Sequence, residues 1–121
     1  MNQRDKDRWI AALRSGDYKQ LRWLMSNGDN RKPSTAFCCL GVAMNVFHGW
    51  DHGEFKATGG VGRGLGLDER LTEQFLKEFV PTEWHVLTDT WADFFVIAND
   101  KLGWTFAQIA DWAEKYLPVS L

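Results

Sequence analysis

The 121-residue sequence predicts a mainly α-helical fold, a compact bundle of about five helices with room for a small β-hairpin near residues 18–38. Three observations lead there. Apolar residues recur at helical spacing through most of the chain, most clearly in the last third. Helix caps and turn-forming clusters separate those stretches. Hydrophobic residues make up 45% of the chain, with seven Trp and eight Phe. Rings that bury roughly 150–250 Å² each supply a core without metal or disulfide staples.

Residues 5–13 read as the first helix. Asp5 and Asp7 favour its amino end, Trp9, Ile10 and Leu13 make an apolar face, and Ser15, Gly16 and Asp17 end it. The polar start at residues 1–3 is expected to lie outside the ordered core. Residues 18–25 fit two patterns: Leu21, Trp23 and Met25 suit a strand, whereas Leu21, Leu24 and Met25 suit a helix. Asn27, Gly28, Asp29 and Asn30, then Pro33, Ser34 and Thr35, break the chain before Phe37. Residues 37–47 predict a buried helix with Leu40, Ala43, Met44 and Phe47 on one face, broadened by Val42 and Val46. Gly41 inside it implies close backbone packing.

Seven glycines between residues 49 and 66 predict a loop. Leu67 or Asp68 opens the next helix, with Leu71, Phe75, Leu76 and Phe79 inward, and Val80 and Pro81 close it. Thr88 or Asp89 caps a helix carrying Trp91, Phe94, Phe95, Ala98 and Leu102, which Gly103 ends. Thr105 followed by Gln108 is a capping-box pattern for a final helix, with Phe106, Ile109, Ala110, Ala113 and Leu117 on its apolar face. These last two helices are expected to form an αα-hairpin or corner. With no repeat, linker or low-complexity tract, residues 1–121 are expected to be one globular domain.

Formal net charge is -2. Residues 1–60 hold nine Lys/Arg against six Asp/Glu, whereas residues 61–121 hold five against ten. Such asymmetry orients an encounter with a partner or a second copy of the chain, but lacks the strong basic patch of a general nucleic-acid binder. No run of eighteen apolar residues argues for a membrane span. The charged start lacks the features of an export signal. Cys38 and Cys39 are adjacent and do not staple distant segments; reduced thiols in a cytoplasmic protein follow as the expectation.

No catalytic chemistry is established by the sequence, and no catalytic, cofactor-binding or metal-ligating residue is assigned. Cys38 and Cys39 lack the CxxC spacing and read as small core residues. His48 and His52 are four apart but flanked by Gly49 and Gly53, without the spacing of a zinc module. His85 stands alone in the sequence. The glycines at 59, 60, 62 and 64, with Arg63, suggest an anion-cradling turn yet miss GxGxxG and GxxxxGK[ST]. Glu69 and Glu73 are spaced to share a helical face, where solvation is the ordinary fate of paired carboxylates. Arg4, Lys6, Arg8, Arg14, Lys19, Arg22, Arg31 and Lys32 are basic groups for a phosphate backbone, and Trp23 suits either base stacking or the core.

Three fragments, WIAALRSGDY at 9–18, FCCLGV at 37–42 and NDKLGWTFAQIA at 99–110, together resemble a loosely characterised group of small phage and bacterial proteins. The resemblance carries over no catalytic residue. It implies a phage or mobile-element setting, where small proteins act by binding host machinery, including defence systems; an anti-CRISPR-type inhibitor is one form. The leading expectation is therefore a non-enzymatic protein-binding modulator with a host or phage protein as partner. Trp50, Phe55 and Arg63, in the glycine-rich middle, are the candidate partner-binding residues. The alternatives are a nucleic-acid-binding accessory protein and a small enzyme with an unrecognised site. Homodimerisation is compatible with all three.

Overall fold

The computed structural model describes residues 1–24, 26–28, 32–49 and 64–120. Helix α1 (Gln3–Arg14) is capped by Asn2, whose side chain accepts the Asp5 N–H at 2.8 Å. Ahead of it, Met1 is buried and its nitrogen donates to Gly66 O. The polar start is thus anchored in the fold, contrary to expectation. Trp9, Ile10 and Leu13 face inward, as their spacing predicts. Lys6 joins them, its ammonium donating to Leu117 O at 2.7 Å and Glu114 O at 3.3 Å. Those carbonyls end the last helix, α5 (Phe106–Tyr116), where intrahelical donors run out. Arg14 adds exposed ion pairs to Asp111 and Glu114 of the same helix. Polar ties and apolar burial together lay α1 on α5.

The small β element lies within residues 18–38. Strand β1 (Lys19–Gln20) pairs with β2 (Ala36–Phe37) in parallel, Lys19 opposite Ala36 and Gln20 opposite Phe37. The pairing is parallel because the chain turns back between them: Ser26 bridges antiparallel to Phe37 before β2 begins. Phe37 consequently sits in a strand rather than in the following helix. Helix α2 (Cys39–His48) starts two residues later than its apolar pattern suggests, because extended Cys38 is its cap and its sulfur accepts the Gly41 N–H at 3.4 Å. Gly49 closes α2 at φ 64°, the left-handed conformation that glycine adopts without a Cβ penalty.

Helix α3 (Glu73–Phe79) is capped by Thr72 and is shorter than the apolar spacing implies. Residues 67–71 are diverted to another task. Leu67 O and Glu69 O accept the N–H groups of Ala92 and Trp91, and Leu71 N–H donates to Asp89 O. Helix α4 (Trp91–Asp100) therefore has its first orphan donors satisfied by a neighbouring extended segment. A 3₁₀ turn (Thr82–Leu87) connects α3 towards α4. Capping boxes form at Thr90 with Asp93 and at Thr105 with Gln108.

One hydrophobic cluster runs from Met1 to Leu117, with α1 packed on α2 and α5, and α4 on α2 and α5. Trp9, Phe94, Phe95, Leu40, Leu67 and Ile109 are fully buried, each worth about 1.5–3 kcal/mol of transfer free energy. Trp9 meets Phe95 edge-on, with ring centroids 5.1 Å apart, and its Nε1–H donates to Cys39 O at 2.9 Å. Phe75 sits among Trp91, Phe94, Trp112 and Tyr116. The fold is a mainly α-helical bundle with a two-strand element, and no helix among the described residues is long and apolar enough to cross a membrane.

Candidate interaction surface

The segment that leaves β1 is tied to the end of α4. Asn99 is fully buried and all its amide valences are engaged. Its Oδ1 accepts from Gln20 Nε2 at 2.9 Å and Cys39 N–H at 3.3 Å; its Nδ2 donates to Leu21 O at 2.9 Å and Asp100 Oδ1 at 2.8 Å. Arg22 donates to the backbone carbonyls of Asn99, Gly103 and Trp104. The segment leaving β1 is thereby pinned along the α4–α5 corner, which Gly103 turns at φ 70°.

The next residue pays for its position. Trp23 has φ 77°, and it alone among the described non-glycine residues has positive φ. A residue held in this region costs of order 1–3 kcal/mol. Asp100 offsets this: its Oδ1 accepts the Trp23 N–H at 2.9 Å, a charge-assisted bond worth about 1.5–3 kcal/mol. The strain turns the indole outwards, 63% exposed, so Trp23 does not enter the core. Lys101 lays its ammonium 4.1 Å from the centroid of Trp23 and 5.3 Å from that of Trp84 on the 3₁₀ turn. Cation–π contacts at such open positions contribute about 0.5–1 kcal/mol each.

Leu24 follows Trp23 in the chain, and Val86 and Leu87 follow Trp84 on the 3₁₀ turn; they are 48%, 93% and 59% exposed. With Trp23 these are the large hydrophobic side chains left exposed among the described residues. Clustering on two adjoining segments is what distinguishes them from scattered surface leucines. Behind the 3₁₀ turn, His85 Nε2 lies 2.9 Å from Leu76 O and 2.7 Å from Val80 O, so this nitrogen carries a proton and donates to both. Thr88, buried, donates to Trp84 O at 2.6 Å. The face is apolar outside and hydrogen-bonded to the helices beneath.

Other sequence candidates fall elsewhere. Trp50, Phe55 and Arg63, along with His52 and most of the glycine-rich stretch, lie outside the described residues. His48 is exposed at the end of α2. Cys38 and Cys39 are both buried; burial pushes the Cys38 thiol up to about 11 and the Cys39 thiol well above its usual range. Protonated and enclosed, they act as packing groups and, for Cys38, as a helix cap. Glu69 and Glu73 do not share a helical face, since Glu69 precedes α3. Lys6, Arg8, Arg14 and Arg22 are turned to carbonyls and carboxylates of the protein itself. Among the described residues no group of three or more His, Cys, Asp or Glu is placed to hold a metal ion.

Trp84, Val86, Leu87 and Lys101 escape a periodicity search because a 3₁₀ turn and an irregular segment have no helical stripe. One signal does exist: Trp84, Val86 and Leu87 crowd between Pro81 and Thr88 outside any helical stripe, and of the three only Trp84 packs against the core. The three recognisable fragments, by contrast, meet in the interior. Trp9 of the first bonds Cys39 of the second, Cys39 N–H bonds Asn99 of the third, and Tyr18 Oη donates to Asn45 Oδ1 at 2.6 Å just beyond the second. They carry architecture, and the exposed face lies largely between them.

No curated protein and no solved structure matches the chain. A family model does match, over residues 1–61, the half that contains α1, β1, β2 and α2. The chain belongs to the family described as Domain of unknown function (DUF8296).

Proposed function

We propose that the chain is a non-enzymatic protein-binding modulator that acts in the cytoplasm, in a phage or mobile-element setting, on a host protein such as a component of a defence system. The single observation that supports this is Trp23. A large ring is held outwards at a backbone cost, braced by Asp100 and Lys101, with three more exposed apolar side chains on its own segment and on the 3₁₀ turn that Lys101 joins to it. Exposed Trp with an aliphatic rim is the composition of a binding hot spot. Engagement of basic side chains with the protein's own carbonyls favours this over the nucleic-acid reading, and the enclosed, protonated thiols favour it over thiol catalysis.

The test is affinity capture from a bacterial host lysate with the full chain and with a Trp23→Gly/Val86→Ser variant. A discrete protein retained by the wild type and lost by the variant is the expected result. Equal recovery by both, or no specific protein across hosts, refutes this assignment of the face.

A further inference from the structure

We infer that the partner segment which docks on the Trp23–Trp84 face is an apolar peptide stretch bearing a carboxylate, and that Lys101 is the residue that selects it. This rests on the protein-docking reading above and names the chemistry of its occupant. Lys101 joins the two segments of the face, its ammonium lying against both indole rings. An indole face attracts an ammonium but offers it no oxygen lone pair. The carboxylate beside it in sequence, Asp100, is engaged by Trp23 N–H and Asn99 Nδ2. Among the described residues no carboxylate forms an ion pair with Lys101.

Covering Trp23 and Trp84 strips water from the ammonium that lies against both. A wholly apolar cover leaves a desolvated charge with no acceptor, the costliest outcome for an interface. A carboxylate restores both charge balance and hydrogen bonding, and the two rings keep the ammonium oriented towards it. A second copy fits poorly, because a two-fold contact centred on this face sets Lys101 against Lys101. A nucleic acid also fits poorly. Lys101 is a single cation, and Lys6, Arg8, Arg14 and Arg22 are engaged by the protein's own carbonyls and carboxylates, which leaves, among the described residues, no row of free basic groups here for a phosphate backbone. An acid within an apolar peptide meets both the centre and the rim.

The experiment is selection from a random peptide display library on the immobilised full chain. Fluorescence polarisation then follows, with a selected peptide and its Asp/Glu→Ala counterpart, against the wild type, Lys101→Met and Val86→Ser. Leu87→Ser replaces Val86→Ser if circular dichroism detects any change of fold in the latter. Selected peptides are expected to carry an acid flanked by aliphatic or aromatic residues. Removing that acid weakens binding to the wild type about tenfold or more, and to Lys101→Met hardly at all, the coupling that a direct charge pair produces. Apolar peptides indifferent to both changes overturn the inference while leaving the docking face intact. Peptides indifferent to Val86→Ser and Leu87→Ser overturn the docking reading itself. Self-association in sedimentation runs that Val86→Ser abolishes assigns the face to a second copy. Salt-dependent binding of a labelled single-stranded oligonucleotide, lost in Lys101→Met, assigns it to nucleic acid. Either result also overturns the inference.

Discussion

Replacing Asn99 tests how the surface is tied to the core. In Asn99→Ala, Cys39 N–H and Leu21 O lose their partners, and Gln20 and Asp100 lose theirs at the edge of the same site. Leaving the buried Cys39 N–H unsatisfied costs about 1–3 kcal/mol and the part-buried Leu21 O less, which places the loss near about 2–4 kcal/mol with the small void included. Against a total of roughly 5–15 kcal/mol for a domain, that is severe. Asn99→Asp keeps the shape but points an oxygen at Leu21 O and at the Asp100 carboxylate, which raises the new carboxyl above its unfolded value. The sign follows from proton uptake: the folded form then binds more protons than the unfolded form. The variant is closest to wild type near pH 4 and loses stability as pH rises from about 4 through the raised pKa. Urea denaturation followed by far-UV circular dichroism, at several pH values from about 4 to 7, measures both effects. Asn99→Asp within about 0.5 kcal/mol of wild type across that range would refute the four-bond account of this amide.

Trp23→Gly relieves the left-handed strain and gives up the cation–π contact. Its unfolding free energy from urea denaturation should stay within about 1 kcal/mol of wild type while that of Trp23→Ala, which keeps the strain, falls below it. Gly66→Ala places a Cβ 2.6 Å from Met1 N at φ 70°, whereas Gly103→Ala has the same φ and open space. Chemical denaturation should find the first more destabilising by about 1–2 kcal/mol. Neither thiol should react with an aromatic disulfide reagent at neutral pH until urea is added. Because burial raises Cys38 from 9.0 to about 11, the folded protein holds that proton longer than the unfolded chain, and stability should fall as pH rises through this interval. A fragment of residues 1–61 should lack cooperative thermal unfolding by circular dichroism, since its α1 face has nothing in place of α5.

Local chemistry decided how much of this was legible. Helix α5 was readable because its cap is self-contained, Thr105 with Gln108 three residues on. The start of α4 was less so: Thr88, Asp89 and Thr90 are all competent caps, and the pairing with Asp93 selects Thr90. The late start of α3 is invisible to periodicity, because residues 67–71 answer to donors on α4 more than twenty positions away. Residues 18–25 had two periods to choose between, and a positive φ at Trp23 breaks both. The exposed face was the least legible part, since it depends on a strained turn and a 3₁₀ turn meeting over Lys101. The inward destinations of Lys6 and Arg22, basic in composition and structural in use, were likewise out of reach.

The seating of α1 on α5 also governs how the chain is made. Its first helix leaves the ribosome roughly 100 residues before the helix that covers it, an interval of about 5–20 s at ordinary elongation rates. Throughout that time Trp9, Ile10 and Leu13 have no α5 to pack against, and the contacts that finally enclose them span 108 and 111 positions at Lys6 alone. Closure of the α1–α5 contact is therefore deferred until α5 itself has been made. Until then α2 is the partner available to α1, through contacts such as Trp9 with Cys39, and slowing translation lengthens the interval in which the rest of the α1 face stays uncovered.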